Sequence, residues 1–201
     1  MQINEAMNLV VPIVSDEAGV KVWGYHTPIS RQVFEANYRV LAATKASLMS
    51  KGGMYMMDSG PRIAALTLRD EGRRDAEARG SIDHNGAAID NATPALLAEI
   101  HRLTMVLVPT AAGWDMLPID AAIGSGKMDA EDWAEAESAI VFFTCICALA
   151  SKAQRKNQAS STATLLTGSI TSLSPTEFAA SLPNSTPAAT SAHRAASSVP
   201  S

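Results

Sequence analysis

Few residues of this chain could perform chemistry, and none of them stands in the spacing of a known catalytic motif. Cys145 and Cys147 lie two positions apart in an apolar run, where a thiol nucleophile or a two-cysteine metal site would be the chemistry to consider. Positions two apart on a helix point to different sides, so we expect no disulfide between them. We interpret both as small hydrophobic side chains of a buried helix.

Three further groups have residue types that bind ligands. His84 follows Asp83 in a turn, but a metal site needs more ligands than this pair. Residues 69–79 hold as many carboxylates as arginines, which is typical of a solvated helical face and not of a phosphate site. Gly124 and Gly126 lack the spacing of a phosphate-binding loop. The sequence therefore indicates no catalytic residue, no metal site and no cofactor.

The composition is that of a globular protein with one core. Of the 201 residues, 47% are hydrophobic and 18% are charged, and the formal net charge is −4. This charge provides no basic field for a nucleic acid or an anionic membrane. The longest apolar run, residues 139–150, is shorter than the roughly 20 residues of a membrane span, so it predicts a buried helix.

The N-terminal part predicts a β-hairpin. Residues 9–14 and 20–25 are rich in β-branched and aromatic side chains, and a turn-rich spacer separates them. Because Pro12 cannot donate a hydrogen bond, the first strand should lie at an edge of the sheet. The first 14 residues lack the basic region and cleavage site of a secretory signal.

Helix start signals dominate the middle of the chain. Thr27, or alternatively Ser30, precedes one apolar helical stripe, Thr93 precedes another that runs to Pro109, and Asp129 precedes the longest helix, over residues 130–155. These patterns predict a mainly α domain of four to five helices over residues 1–155, with a small N-terminal hairpin. Residues 54–60 are predicted to be a loop with exposed methionines.

Residues 156–201 are predicted to be a flexible tail, because Ser, Thr, Ala and Pro dominate their composition. A short helix is predicted inside this tail at residues 174–182. Ser174 and Glu177 form a capping-box pattern there, and Leu173 and Phe178 have the spacing of a hydrophobic staple. We interpret residues 173–182, called the hook below, as a docking element for a partner. The alternative is that the hook packs on its own domain.

Several phrases resemble the tail assembly chaperones of long-tailed, siphovirus-type bacteriophages. They lie at residues 20–51, 60–68, 139–144 and 171–185, and the most distinctive is the pattern T-S-x-x-x-T-E-F-x-x-S-L-P in the last of these. The N-terminal hairpin departs from many members of that family, which are small and mainly helical.

The resemblance implies a non-catalytic protein of the host cell cytoplasm that takes part in viral morphogenesis. Such chaperones bind the tape-measure protein while tail tube subunits polymerise around it, and many are made in two lengths by a ribosomal frameshift. Neither nucleic acid nor membrane is an expected partner, and homo-oligomerisation is left open. The residues that we expect to contact the partner are Leu173, Phe178, Leu182, Met54, Met56 and Met57.

Two other hypotheses remain. The first is a structural virion protein, such as a tail-completion or tube-associated component, because the strands of the hairpin could add to the sheet of a neighbouring subunit. The second is an enzyme, which would require a pocket with converging titratable groups.

Overall fold

The computed structural model describes residues 7–183 and has an α+β fold built on a five-stranded antiparallel sheet. In chain order the elements are β1 (Asn8–Asp16), β2 (Gly19–His26), α1 (Arg31–Ser50), α2 (Gly53–Asp58), α3 (Gly60–Ala78), α4 (Ala92–Arg102), β3 (Thr104–Thr110), β4 (Gly113–Pro118), α5 (Ile119–Gly124), α6 (Ala130–Ala148), α7 (Lys152–Leu165), β5 (Ser169–Thr171) and α8 (Pro175–Ser181). The prediction of a mainly α fold with four to five helices and a single small hairpin is therefore wrong.

The strand β3 shows why the fold class was mispredicted. The pattern of Ile100, Thr104 and Leu107 predicts a helix that continues to Pro109, whereas α4 ends at Arg102. β3 is an interior strand with both faces buried, so its apolar residues form a continuous run without alternation. Such a run cannot be distinguished from a buried helix by periodicity alone.

The sheet has the strand order β4-β3-β2-β1-β5. The predicted N-terminal hairpin is present: β1 and β2 pair from Leu9↔His26 to Asp16↔Gly19. The Asp16 carboxylate accepts a hydrogen bond from the Ala18 N–H at 2.8 Å, and Gly19 adopts a φ of 120° that suits glycine. β1 is not a complete edge strand, because β5 pairs with its residues 8–10 and leaves Pro12 uncovered.

The main core lies between one face of the sheet and a layer of helices. β1 contributes Leu9 and Val11 to it, and α6 contributes its apolar segment, residues 140–143. The start of α6 agrees with the predicted cap, since Asp129 and Asp132 form a reciprocal capping box. Ser30, the alternative of the two predicted caps, begins α1 by accepting from the Val33 N–H at 3.3 Å.

Residues 152–183, most of which fall in the predicted tail, form α7, β5 and α8. The predicted boundary between residues 155 and 156 falls inside α7. Small side chains explain how this polar segment packs, because Ala159 and Ala163 are almost fully buried against the core. Residues 184–201 of the predicted tail lie outside the described residues.

A tight approach between α3 and the start of α4 depends on a glycine. A Cβ atom at Gly72 would collide with the side chains of Asp90 and Thr93. The Asp90 carboxylate cannot easily give way, because it accepts hydrogen bonds from the N–H groups of Ala92 and Thr93 at 3.0 Å each.

We therefore expect the Gly72→Ala protein to lose about 1–3 kcal/mol of unfolding free energy through overpacking, measured by urea denaturation. Gly124→Ala is the matched control, because no atom lies within 4 Å of the Cβ position at that helical glycine. The control should stay within about 1 kcal/mol of the wild type. Equal stability of the two variants would contradict the close packing at Gly72.

His26, at the end of β2, is fully buried. Its Nδ1 lies 2.9 Å from Thr104 Oγ1, and that hydroxyl donates to the Ile100 carbonyl at 2.8 Å. The ring Nδ1–H must therefore be the donor to Thr104, and Nε2 has no hydrogen-bond partner within residues 7–183. Burial lowers the pKa of His26 from 6.5 to about 3.

The low pKa of His26 makes stability depend on pH. Below about pH 6.5 the unfolded chain binds a proton at His26 and the folded chain does not. The unfolding free energy therefore decreases as the pH decreases, by up to about 1.4 kcal/mol per pH unit. Urea denaturation at several pH values should show this slope. His26→Gln should flatten it, and replacement of the exposed His84 by Gln should leave it unchanged. A wild-type slope in the His26→Gln protein would disprove the assignment.

Candidate partner-binding surfaces

The three methionines expected to contact a partner lie on α2, the short helix between α1 and α3. The segment predicted to be a loop is thus helical over residues 53–58. Met54 is 89% exposed and Met57 is 57% exposed, whereas Met56 turns inward and packs against the main core. The structure therefore keeps two of the three methionine side chains at the surface.

The exposed methionines belong to a larger apolar surface. Nine large hydrophobic side chains are exposed within residues 7–183, and six of them lie between positions 38 and 66. We call these six, which lie on α1, α2 and α3 and not on the β-hairpin, the hairpin surface: Tyr38, Met49, Met54, Tyr55, Met57 and Leu66. The Lys51 ammonium lies 5.0 Å from the centre of the Tyr55 ring, within the range of a cation–π contact.

Sequence reasoning missed four members of the hairpin surface. The sequence pattern places Tyr38 on one helical stripe with Leu41 and Leu48. The structure buries Leu41 and Leu48, together with Val40 and Thr44 beside that stripe, but leaves Tyr38 exposed. The stripe of α1 is wide enough for either assignment, and only the position of α3 decides which side is covered. Tyr55, between the predicted methionines, could have been included from the sequence.

The hook forms the helix predicted from its start signals. Ser174 Oγ accepts from the Glu177 N–H at 3.3 Å, and the Ser174 N–H donates to Glu177 Oε2 at 2.8 Å. These hydrogen bonds hold the pKa of Glu177 below its usual value. The resulting α8, with Pro175 in its first turn, confirms the predicted local structure at residues 174–182.

The hook lies on the second face of the sheet, opposite the main core. Phe178 and Leu182 pack against a small buried cluster that includes Tyr25 and Leu107. The rings of Tyr25 and Phe178 are tilted by 48°, with their centroids 6.0 Å apart. This is the arrangement described by the alternative interpretation, in which the hook packs on its own domain. The binding role of Phe178 and Leu182 stays a prediction, and Leu173 is 40% exposed.

Hydrogen bonds fasten the hook at both ends. The Tyr25 hydroxyl donates to the Leu173 carbonyl at 2.6 Å, and the Trp114 indole N–H donates to the Pro183 carbonyl at 2.9 Å. Burial, together with the nearby Glu177 carboxylate, raises the pKa of Tyr25, so its hydroxyl keeps the proton that it donates. Both donors belong to the sheet, so α8 is held across β2 and β4.

Two segments at the edges of the sheet lack part of their backbone donors: β4, and the part of β1 that β5 does not cover. Beyond the segment paired with β5, Pro12 of β1 has no N–H to donate. On β4, the Met116 N–H already donates to Asp115 Oδ1 at 2.8 Å, and Pro118 has no N–H. Prolines and occupied donors at edge strands disfavour pairing with another chain.

The side chains that could act as nucleophiles or metal ligands do not come together in one site among the described residues. Cys145 and Cys147 are buried and unpaired, and burial raises the pKa of each thiol to about 12, which keeps both protonated at neutral pH. Within the described residues, no three His, Cys, Asp or Glu side chains come together as a metal site requires. His84 therefore gains no further ligands among those residues.

The arginines of residues 69–79 are neutralised, as expected for a solvated face. Arg69 pairs with Glu137 of α6, Arg73 with Asp70, and Arg74 with Glu71. Gly124 and Gly126 end α5, and Gly126 adopts a positive φ of 67° in the turn that follows. Both features have a structural explanation without a bound phosphate.

Comparison with known proteins identifies no relative, since no family model, curated protein or solved structure matches the chain. No helix within residues 7–183 is both long and apolar enough to cross a membrane.

We expect the combined change Phe178→Ala and Leu182→Ala to lower the unfolding free energy by about 2 kcal/mol or more, because it removes the apolar contacts that hold α8 on the sheet. The fluorescence of Trp114 should change as its contact with Pro183 loosens. Leu173→Ala, at a more exposed position of the same segment, is the control and should cost under about 1 kcal/mol. Wild-type stability and fluorescence in the double variant would mean that the hook is undocked in solution.

Proposed function

We propose that this protein is a non-catalytic tail assembly chaperone of a long-tailed bacteriophage. In this proposal it acts in the host cytoplasm, where it binds the tape-measure protein and keeps it soluble while the tail tube polymerises. It uses no cofactor, and its contacts are with protein. The proposal combines the sequence resemblance with the surface properties of the described residues.

The observation that carries the proposal is the hairpin surface. Six of the nine large apolar side chains exposed within residues 7–183 lie on the consecutive helices α1, α2 and α3, and concentrations of exposed apolar side chains commonly mark protein contacts. Met49, Met54 and Met57 have flexible, polarisable side chains, which adapt to partners of varied shape. A chaperone that coats a long helical client needs this adaptability.

A structural component of the tail is the competing function, and the sheet edges argue against the route by which it would assemble. That hypothesis relied on strand addition to a neighbouring subunit. Pro12 and Pro118 lack N–H donors, and the Met116 N–H is occupied. The hairpin surface instead lies on the helices α1, α2 and α3, which suits contacts with a helical client.

Co-expression with the tape-measure protein of the same phage tests the proposal. The wild-type chain should keep that client in the soluble fraction. Met54→Gln combined with Met57→Gln should reduce the soluble client by about fivefold or more, because it removes two adaptable apolar contacts. Ile82→Gln with Ile89→Gln is the control, since it also replaces two exposed apolar side chains by Gln, in the loop between α3 and α4.

Two outcomes would overturn the proposal. A client that is equally insoluble with and without the wild-type chain would exclude a chaperone role. Stoichiometric amounts of the chain in purified virions would show a structural tail component instead.

A further inference from the structure

A groove of about 310 Å³, lined by both apolar and charged side chains, adjoins the hairpin surface. It lies between the outer edge of β1, the junction of α2 and α3, the outer side of α6 and the turn after α7. Val11, Ile13, Ala139 and Leu166 form part of its floor, and Met57 stands at its margin. Because Met57 also belongs to the hairpin surface, the groove borders that surface at this residue.

The groove exists because β5 leaves β1 early. β5 pairs only with residues 8–10 of β1. Just before β5 in the chain, Thr167 adopts a φ of 54°, and the chain turns away there. The backbone of Gly168 lies so close to the Val10 carbonyl that no side chain fits between them. The part of β1 that follows therefore forms the wall of an open groove.

The backbone of β1 restricts what can fill this groove. An extended peptide would need a ladder of hydrogen bonds with the uncovered strand, and Pro12 interrupts the donors of that ladder. A helix satisfies its own backbone groups and needs only apolar contact from the floor. The groove is therefore better suited to a helix than to a strand.

The rim of the groove selects the charge of its occupant. Asp58, Asp132 and Glu135 line it with one cation, Arg62. Glu135 is exposed, and no ion pair within residues 7–183 involves it. Asp132 already accepts from the Asp129 N–H through one oxygen, which leaves the other free for a partner. The excess of carboxylates favours a segment with basic side chains.

We propose that this groove binds an amphipathic helix of the partner, with the apolar face on the floor and Lys or Arg side chains at the rim. The inference rests on the proposed function and deepens it, since it names the chemistry of the client segment.

The chain itself offers no good occupant. Residues 184–201 contain Val199 as their one large aliphatic residue and Arg194 as their one Lys or Arg, so they cannot supply both an apolar face and a basic flank. In a second copy, α7 is the most basic helix, with Lys152 and Lys156 exposed and no carboxylate, but Leu165 is its one large apolar residue, so it lacks an apolar face. A separate protein therefore fits better than either.

A labelled synthetic peptide of Leu and Lys in an amphipathic pattern, about 18 residues or five turns long, is the probe. Its binding to the full chain is measured by fluorescence anisotropy, beside a Leu and Glu peptide of the same pattern. The Leu and Lys peptide should bind at least about tenfold more tightly, because its charges complement the rim.

Two variants locate the binding. The double variant Asp58→Asn with Glu135→Gln should weaken binding of the Leu and Lys peptide by about fivefold. The control, Glu17→Gln with Glu77→Gln, changes the net charge equally and should weaken binding by less than about twofold. Ala139→Trp should fill the floor and weaken binding about tenfold, with circular dichroism as the check of folding. Should Ala139→Trp fail to fold, the charge variants still decide.

Equal weakening by both pairs of charge variants would overturn the proposal, because net charge alone would then explain the attraction. A change in oligomeric mass with unchanged peptide binding would assign the groove to a second copy and also overturn it. The peptide measurement is independent of the co-expression test. If the peptide binds as expected while the tape-measure protein stays insoluble, the identity of the client alone is rejected. If the tape-measure protein is kept soluble while the peptide does not bind as expected, the groove alone is rejected.

Discussion

The burial of the apolar segment of α6, residues 140–143, on every side is the constraint on which the rest of the structure depends. Ile140, Val141, Phe142 and Phe143 occupy successive positions, which point around the whole circumference of the helix, and all four are buried. A helix that is apolar all round must be covered on all sides. The sheet, α1, α3 and α7 each contact it. Gly60 at the start of α3 permits the approach of Phe142, whose ring would lie 2.9 Å from a Cβ atom there.

The two faces of the sheet are covered very differently. The face toward α6 carries the main core, whereas α8, a helix of seven residues, packs on the second face. A helix this short is not stable in isolation, so α8 depends on Phe178, Leu182 and its two end hydrogen bonds. The same apolar side chains that suggest docking to a partner are therefore used within the chain, and a partner would have to compete with the sheet for them.

The groups that could react and the exposed apolar side chains lie in different parts of the molecule. The groups that could react, His26, Cys145 and Cys147, are buried where their charged forms are disfavoured. The apolar side chains that remain exposed gather on the hairpin surface, which borders the groove at Met57.

Local signals in the sequence determined the elements whose ends are set by neighbouring residues. The β1–β2 hairpin, the capping box at Asp129 and the capped helix of the hook form as predicted, since turn and cap hydrogen bonds join residues only a few positions apart. Tertiary structure alone decided that Thr104–Thr110 is an interior strand, that the outer side of α1 exposes Tyr38, and that α8 packs on the second face. Each of these depends on which distant segment covers an apolar surface, and apolar patterning shows that a surface needs cover without showing what will cover it.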